Sequence, residues 1–296
     1  MGGFIGHAVA GTMFLTISVW WFIGDVLQMN HPSGTLRAKD KQKRTRRSNR
    51  FQLVWYQCPG PTVSKIPLEP MIKVVLSAIG ILVEMPFNNS AKLYDERGEL
   101  ITKNLRNHGH ALMYGFFGLS GIVDLIMWYR FLPLPPKFDY LVLSLAFWVE
   151  GFLFYLHLHG RDELNVHVHC ILYILVFVTA LVFFLAVVSD RFAPFVSFSR
   201  SYLLSLQGSW FFQIASILHG TRPWENTSGN MELSGIVFSC HALVLFIVHL
   251  TGRIICFRFL AKQDQLNELL LGSYSEEEEE YIQGQDQAES EYWDLS

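Results

Sequence analysis

The sequence predicts an all-α, polytopic membrane helical bundle of about seven transmembrane helices. Three observations predict it. Several runs of about 20 residues carry almost no charge, the length an α-helix needs to cross a bilayer. The runs are continuously apolar rather than alternating, which fits helices and not barrel strands. Lys and Arg are gathered into the segments between the runs, as in membrane proteins of fixed orientation. Bulk composition decides less. Hydrophobic residues make up 51% of the 296, close to the range of soluble proteins. The net charge of −3 names no partner, because the charges are segregated along the chain. Apart from the lipid bilayer itself, composition points to no partner, and no nucleic acid is expected.

Residues 4–27 form the first span. No basic residue precedes it and no small-residue cleavage site ends it, so it reads as a retained helix and not a signal peptide. Gly6 stands where a myristoylation signal requires Ser or Thr. His7 lies near one end of this span and Asp25 near the other. A basic segment follows, with Arg37, Lys39, Lys41, Lys43, Arg44, Arg46, Arg47 and Arg50 relieved by Asp40. Such a loop stays cytoplasmic. The stretch Arg37–Arg50 also suits contact with anionic lipid, worth about 1 kcal/mol per basic residue near the surface.

The second span, 68–85, carries Glu69, Lys73 and Glu84. The third, 109–132, opens with His110 and holds Asp124. The fourth, 138–158, has Glu150 near its middle. The fifth is 164–188. The sixth, 201–219, contains Gln207 and Gln213. The seventh, 231–257, contains His241 and His249. One transmembrane domain, 1–262, is therefore expected. The remainder, 263–296, is a polar tail with an unbroken acidic run from Glu276 to Glu280. It is expected to be disordered and cytoplasmic, with docking of a protein partner as its functional alternative.

An odd number of spans after a cytoplasmic first loop puts the N-terminus outside or lumenal and the C-terminus in the cytoplasm. The sequons at Asn88 and Asn226 then both fall outside, the side on which glycosylation occurs. Lys92, Lys103, Arg97 and Arg106 run against this orientation, since they too fall outside. The four cysteines, Cys58, Cys170, Cys240 and Cys256, form no Cys-x-x-Cys pair, and Cys170, Cys240 and Cys256, in or at the ends of apolar runs, read as small packing residues.

Chemistry concentrates between Phe147 and His169. Glu150 sits in an apolar run, where a carboxylate costs about 2.5–3.5 kcal/mol or more and needs a partner or a task. His157 lies about two turns further on nearly the same face. His159, a Gly-Arg-Asp-Glu turn, His167 and His169 follow. With the orientation above, His7, His110, His157, His159, His167, His169 and His219 all lie toward the outward helix ends. Three readings stand side by side. The first is a transition metal such as zinc or iron, held by His110, Glu150, His157, His169 and His241. His7, Asp124, His159 and Gln213 would support those ligands from behind. No His-Glu-x-x-His motif accompanies the set, and one haem at most could be accommodated. The second is proton handling by an acid–imidazole chain. The third is ordinary bundle packing, in which histidines supply interhelical hydrogen bonds. A scaffold or trafficking role through the basic loop and acidic tail is the non-enzymatic alternative.

Four stretches carry a resemblance. They are Gly-x-Phe-x-Gly-His at 2–7, Met-Tyr-x-Phe-Phe-Gly-Leu at 113–119, Val-Glu-x-Phe-x-Phe-Tyr-x-His-x-His-Gly-Arg at 149–161 and Leu-Gln-Gly-Ser-Trp-Phe-Phe-Gln-Ile at 206–214. Together they resemble the transmembrane protein 45 family, from the N-terminus to about Phe257. The resemblance implies a seven-span protein, on endomembranes such as Golgi and endosomes or at the plasma membrane. It implies no established catalytic activity. His7, His110, Asp124, Glu150, His157, His159, His169, Gln213 and His241 fall on positions of the family pattern. Gly109 departs from it, standing where members carry the first of two adjacent histidines. That departure puts a ligand role for the pair in doubt here.

Overall fold

A computed structural model describes residues 3–29, 66–85 and 92–294, with side chains throughout except at 27–29, 103, 264 and 266–294. The basic segment 37–50, Cys58 and the sequon at Asn88 lie outside the described residues. The described residues form seven α-helices: α1 Phe4–Met29, α2 Leu68–Glu84, α3 Thr102–Tyr129, α4 Phe138–Leu156, α5 Glu163–Val188, α6 Ala193–His219 and α7 Ser228–Asp294. Among the described residues the one β-pairing is an isolated bridge, Tyr94 to Leu100. The all-α bundle expected from the sequence is the observed architecture.

Side-chain contacts fix how the helices alternate. The starts of α1, α3 and α5 lie with the ends of α2, α4 and α6, and this end is here called the histidine end. Neighbours pack in the order α2, α3, α4, α5, α6, with α1 laid along α6 and α7 against α6, α5 and α1. Five of the helical segments, Phe4–Val26, Asn104–Tyr129, Phe138–Leu156, Glu163–Val188 and Ser228–Gln263, are long and apolar enough to cross a membrane. Their outer surfaces carry exposed Ile5, Val19, Leu112, Phe152, Leu181 and Leu243. An apolar belt of this extent belongs in lipid and not in water. The chain is a multi-pass integral membrane protein.

α6 and α2 fall short of that apolar standard for different reasons. α6 carries Ser197, Ser199, Arg200, Ser201, Ser205 and Gln207, all buried. It lies enclosed by α1, α5 and α7, so protein rather than lipid covers its polar atoms. Ser18 Oγ donates to Ser201 O at 2.6 Å, and Gln207 Nε2 donates to Thr179 Oγ1 at 2.7 Å. Such bonds hold membrane helices together where no hydrophobic drive separates helix from lipid. The α1–α6 contact is close because both sides use glycine. A Cβ on Gly11 would stand 2.9 Å from Gly208 O, and one on Gly208 would stand 2.9 Å from Gly11 O. α2 is short, at 17 residues, and each of its charges is partnered.

Those partnerships build a buried charge layer at the end opposite the histidines. Lys73 Nζ lies 2.8 Å from Asp124 and 3.3 Å from Glu69. Glu69 accepts from the indole N–H of Trp20 and of Trp21, each at 3.0 Å. Arg200 lies over the Trp21 ring and pairs with Asp25, which is fully buried. Arg253 completes the group, 3.0 Å from the other Asp25 oxygen. Three acids and three bases thus neutralise one another between α1, α2, α3, α6 and α7.

Two boundaries differ from the sequence reading. α6 starts at Ala193, eight residues before the apolar run expected from 201, with a proline in its first turn. The pairing of Arg200 with Asp25 lets this charge lie inside the helix. α7 continues as helix through 263–294, where a disordered tail is expected. That stretch is rich in Glu, Gln and Leu, residues that favour the helix.

Candidate functional site

Each imidazole at the histidine end is placed by a helix terminus. His7 sits in the first turns of α1 and His169 in the second turn of α5, whose start is capped by Asp162 accepting from the Asn165 N–H at 2.8 Å. Asn226 tightens the same terminus from the α6–α7 loop, its Oδ1 accepting from the Leu164 N–H at 2.9 Å. His157 is the C-cap residue of α4, and Gly160, at φ +77, turns the chain back toward α5.

Two groups result. In one, His7 Nε2 stands 3.4 Å from His169 Nε2, with the His219 ring centroid 5.6 Å from that of His7. In the other, the His110 and His157 rings stack with centroids 5.3 Å apart, and His110 Nδ1 lies 3.3 Å from Glu84 Oε1. Gly80 leaves room for the Tyr114 ring, one turn below His110, since a Cβ there would stand 2.7 Å from it. Tyr114 is within electrostatic reach of both Glu84 and Glu150. Glu150 is 2% exposed, and its Oε2 has no hydrogen-bond partner among the described residues. Glu150 lies seven residues before His157 on α4, about 10 Å inward of the stacked imidazoles, and these residues with Tyr114 are called the Glu150 lane below.

Arg161 closes the top of both groups. Its Nε donates to His157 O at 2.8 Å and its Nη1 to Asn165 Oδ1 at 2.9 Å. Partial burial pulls its pKa below the ordinary guanidinium value, the neighbouring Arg106 adds to this, and Asp162 opposes it. Its charge bears on His7, His110, His157 and His169 alike.

The five residues expected as one ligand set are not gathered at one point. His110 and His157 meet each other, and His169 meets His7 instead. His241 stands apart, its Nδ1 3.1 Å from Ser209 Oγ and its ring edge-on to Trp210. The reason is topological: α7 packs on α6, α5 and α1, away from α3 and α4. Among the described residues no three His, Cys, Asp or Glu side chains stand as a ready metal-holding group. Of the supporting residues, His7 is in direct contact with His169, whereas Asp124 lies at the far end, paired with Lys73. His159 is exposed and Gln213 half-buried. Sequence reasoning did not single out Glu84, Tyr114 or Arg161 for the site. Glu84, an acid at the end of an apolar run, was the one with a readable signal.

The profile of a family described as a family of unknown function (DUF716) matches residues 136–252. The matched stretch runs from just before α4 into α7. It holds Glu150, His157, His169 and His241, while α1 and α3, with His7 and His110, lie before it. The similarity is to a family whose description assigns no activity.

Proposed function

We propose that this is a seven-span membrane protein whose outward-facing His/Glu site takes up and releases protons through Glu150, with His110 and His157 as the entry. The observation that carries the reading is the buried Glu150 carboxyl, with one oxygen unpartnered among the described residues, two turns of α4 inward of the His110–His157 stack. A carboxyl in such a place costs about 2.5–3.5 kcal/mol or more, and intramembrane acid–imidazole chains mark proton pathways. The histidine end is taken as outside or lumenal on the strength of the basic segment 37–50 and the sequon at Asn226. Membership of the transmembrane protein 45 family is part of the same proposal. It is supported by the four stretches quoted above, two of which, 149–161 and 206–214, lie inside the matched region.

The test is proton movement in liposomes carrying the purified protein and an internal pH-sensitive dye. An acid pulse on the histidine side is expected to acidify the interior faster than in empty liposomes. Glu150→Gln, which keeps the shape of the side chain, is expected to return the rate to that of the empty vesicles. Equal rates for wild type and Glu150→Gln would sink the reading.

A further inference from the structure

His7 and His169 come from α1 and α5 and face each other Nε2 to Nε2 at 3.4 Å. The other nitrogen of each ring is already committed. His7 Nδ1 lies 3.0 Å from Gly3 O, and His169 Nδ1 lies 2.8 Å from Asn165 O. A carbonyl oxygen only accepts, so both Nδ1 atoms carry the proton. In a neutral imidazole the remaining nitrogen then presents a lone pair. Two lone pairs are aimed at each other where His7 is 8% and His169 7% exposed. Such an arrangement is repulsive unless a cation shares the space.

The separation says which kind of cation fits. A tetrahedral ion with imidazole nitrogens at about 2.0–2.1 Å holds two of them about 3.3–3.4 Å apart. Anchoring of each Nδ1–H on a backbone carbonyl is also how metal-ligating imidazoles are commonly oriented. We propose that His7 and His169, with His219 as third ligand, bind a divalent transition ion of the zinc class at the histidine end of the bundle. His219, the last residue of α6, is exposed with its ring centroid 5.6 Å from that of His7, and would complete the set by turning its side chain toward the ion. Beneath the pair lies an apolar wall of Leu172, Trp210, Phe211 and Ile214. An all-imidazole set selects zinc, copper or nickel over magnesium and calcium, which require oxygen ligands. The Arg161 charge bears on both rings and weighs against any cation there, a cost that the nitrogen bonds must exceed. The site shares no residue with the Glu150 lane and does not rest on the proton reading.

Cobalt(II) titration of the full-length, untagged protein in detergent tests it. One equivalent is expected to give the visible absorption of a tetrahedral nitrogen site, bleached by added zinc. His7→Gln and His169→Gln are expected to weaken binding more than about tenfold. His110→Gln and Glu150→Gln are expected to leave it unchanged, which separates this site from the proton lane. Absence of a stoichiometric band in the wild type overturns the proposal, as does a band that persists at full strength in both histidine variants. If either variant aggregates, X-ray absorption on the wild-type cobalt complex decides. Imidazole scattering supports the site, and an oxygen-only shell overturns it.

Discussion

Asp25 is the residue on which the far end of the bundle turns. It is completely buried, between Arg200 and Arg253, and the latter also donates to Ser197 O at 2.9 Å. Removing one partner from a buried ionic group costs far more than the group contributes, because the remaining charges are stranded. Asp25→Ala is therefore expected to destabilise the protein by about 3–5 kcal/mol, read as a large fall in melting temperature in detergent. Unchanged melting would mean that water, not protein, neutralises the two arginines. Asp25 was visible in the sequence as a charge near the end of an apolar run, but its partners were not. Arg200 lies 175 positions away and Arg253 lies 228, and no local pattern links residues so far apart. Asp124 shows the same limit. It lies about four turns from His110, a distance along a helix that spans most of a membrane and keeps it from supporting a ligand there. It reached Lys73 instead.

At the level of helices, the α1–α6 pair is set by Gly11 and Gly208, where backbone meets backbone. Gly208→Leu is expected to push the helices apart and cost about 1–3 kcal/mol, measured by thermal unfolding in detergent. Gly115→Ala, where a Cβ would meet nothing within 4 Å, is expected to leave stability unchanged or slightly raised. Equal effects of the two would remove the packing argument. Existence and order of the helices were legible because lipid demands a long uncharged surface. The limits of α6 were not, since an enclosed helix answers to its protein neighbours and can carry serines, a glutamine and an arginine. The histidine end was legible as a tendency, from which helix ends lie on one side. Its division into a His7–His169 group and a His110–His157 group was not, because it depends on which helices touch.

For the molecule as a whole, sidedness is the property most open to a direct test. In a chain with Cys58, Cys170, Cys240 and Cys256 replaced by serine, a single cysteine is placed at Thr221 or at Lys262, both exposed. A membrane-impermeant maleimide applied from outside or from the lumen is expected to label Thr221→Cys and not Lys262→Cys. The reverse pattern would turn the protein over and make the His/Glu site face the cytoplasm. The charge layer also has a temporal side. The ribosome releases Asp25 with α1 and Arg200 only with α6, so a nascent chain holds an acid in α1 until α6 is made. During that interval α1 gains little by settling in hydrocarbon, and its stable place arrives with α6. Truncated or stalled chains that end before Arg200 therefore hold an acid at the membrane without the two arginines that compensate it in the finished protein.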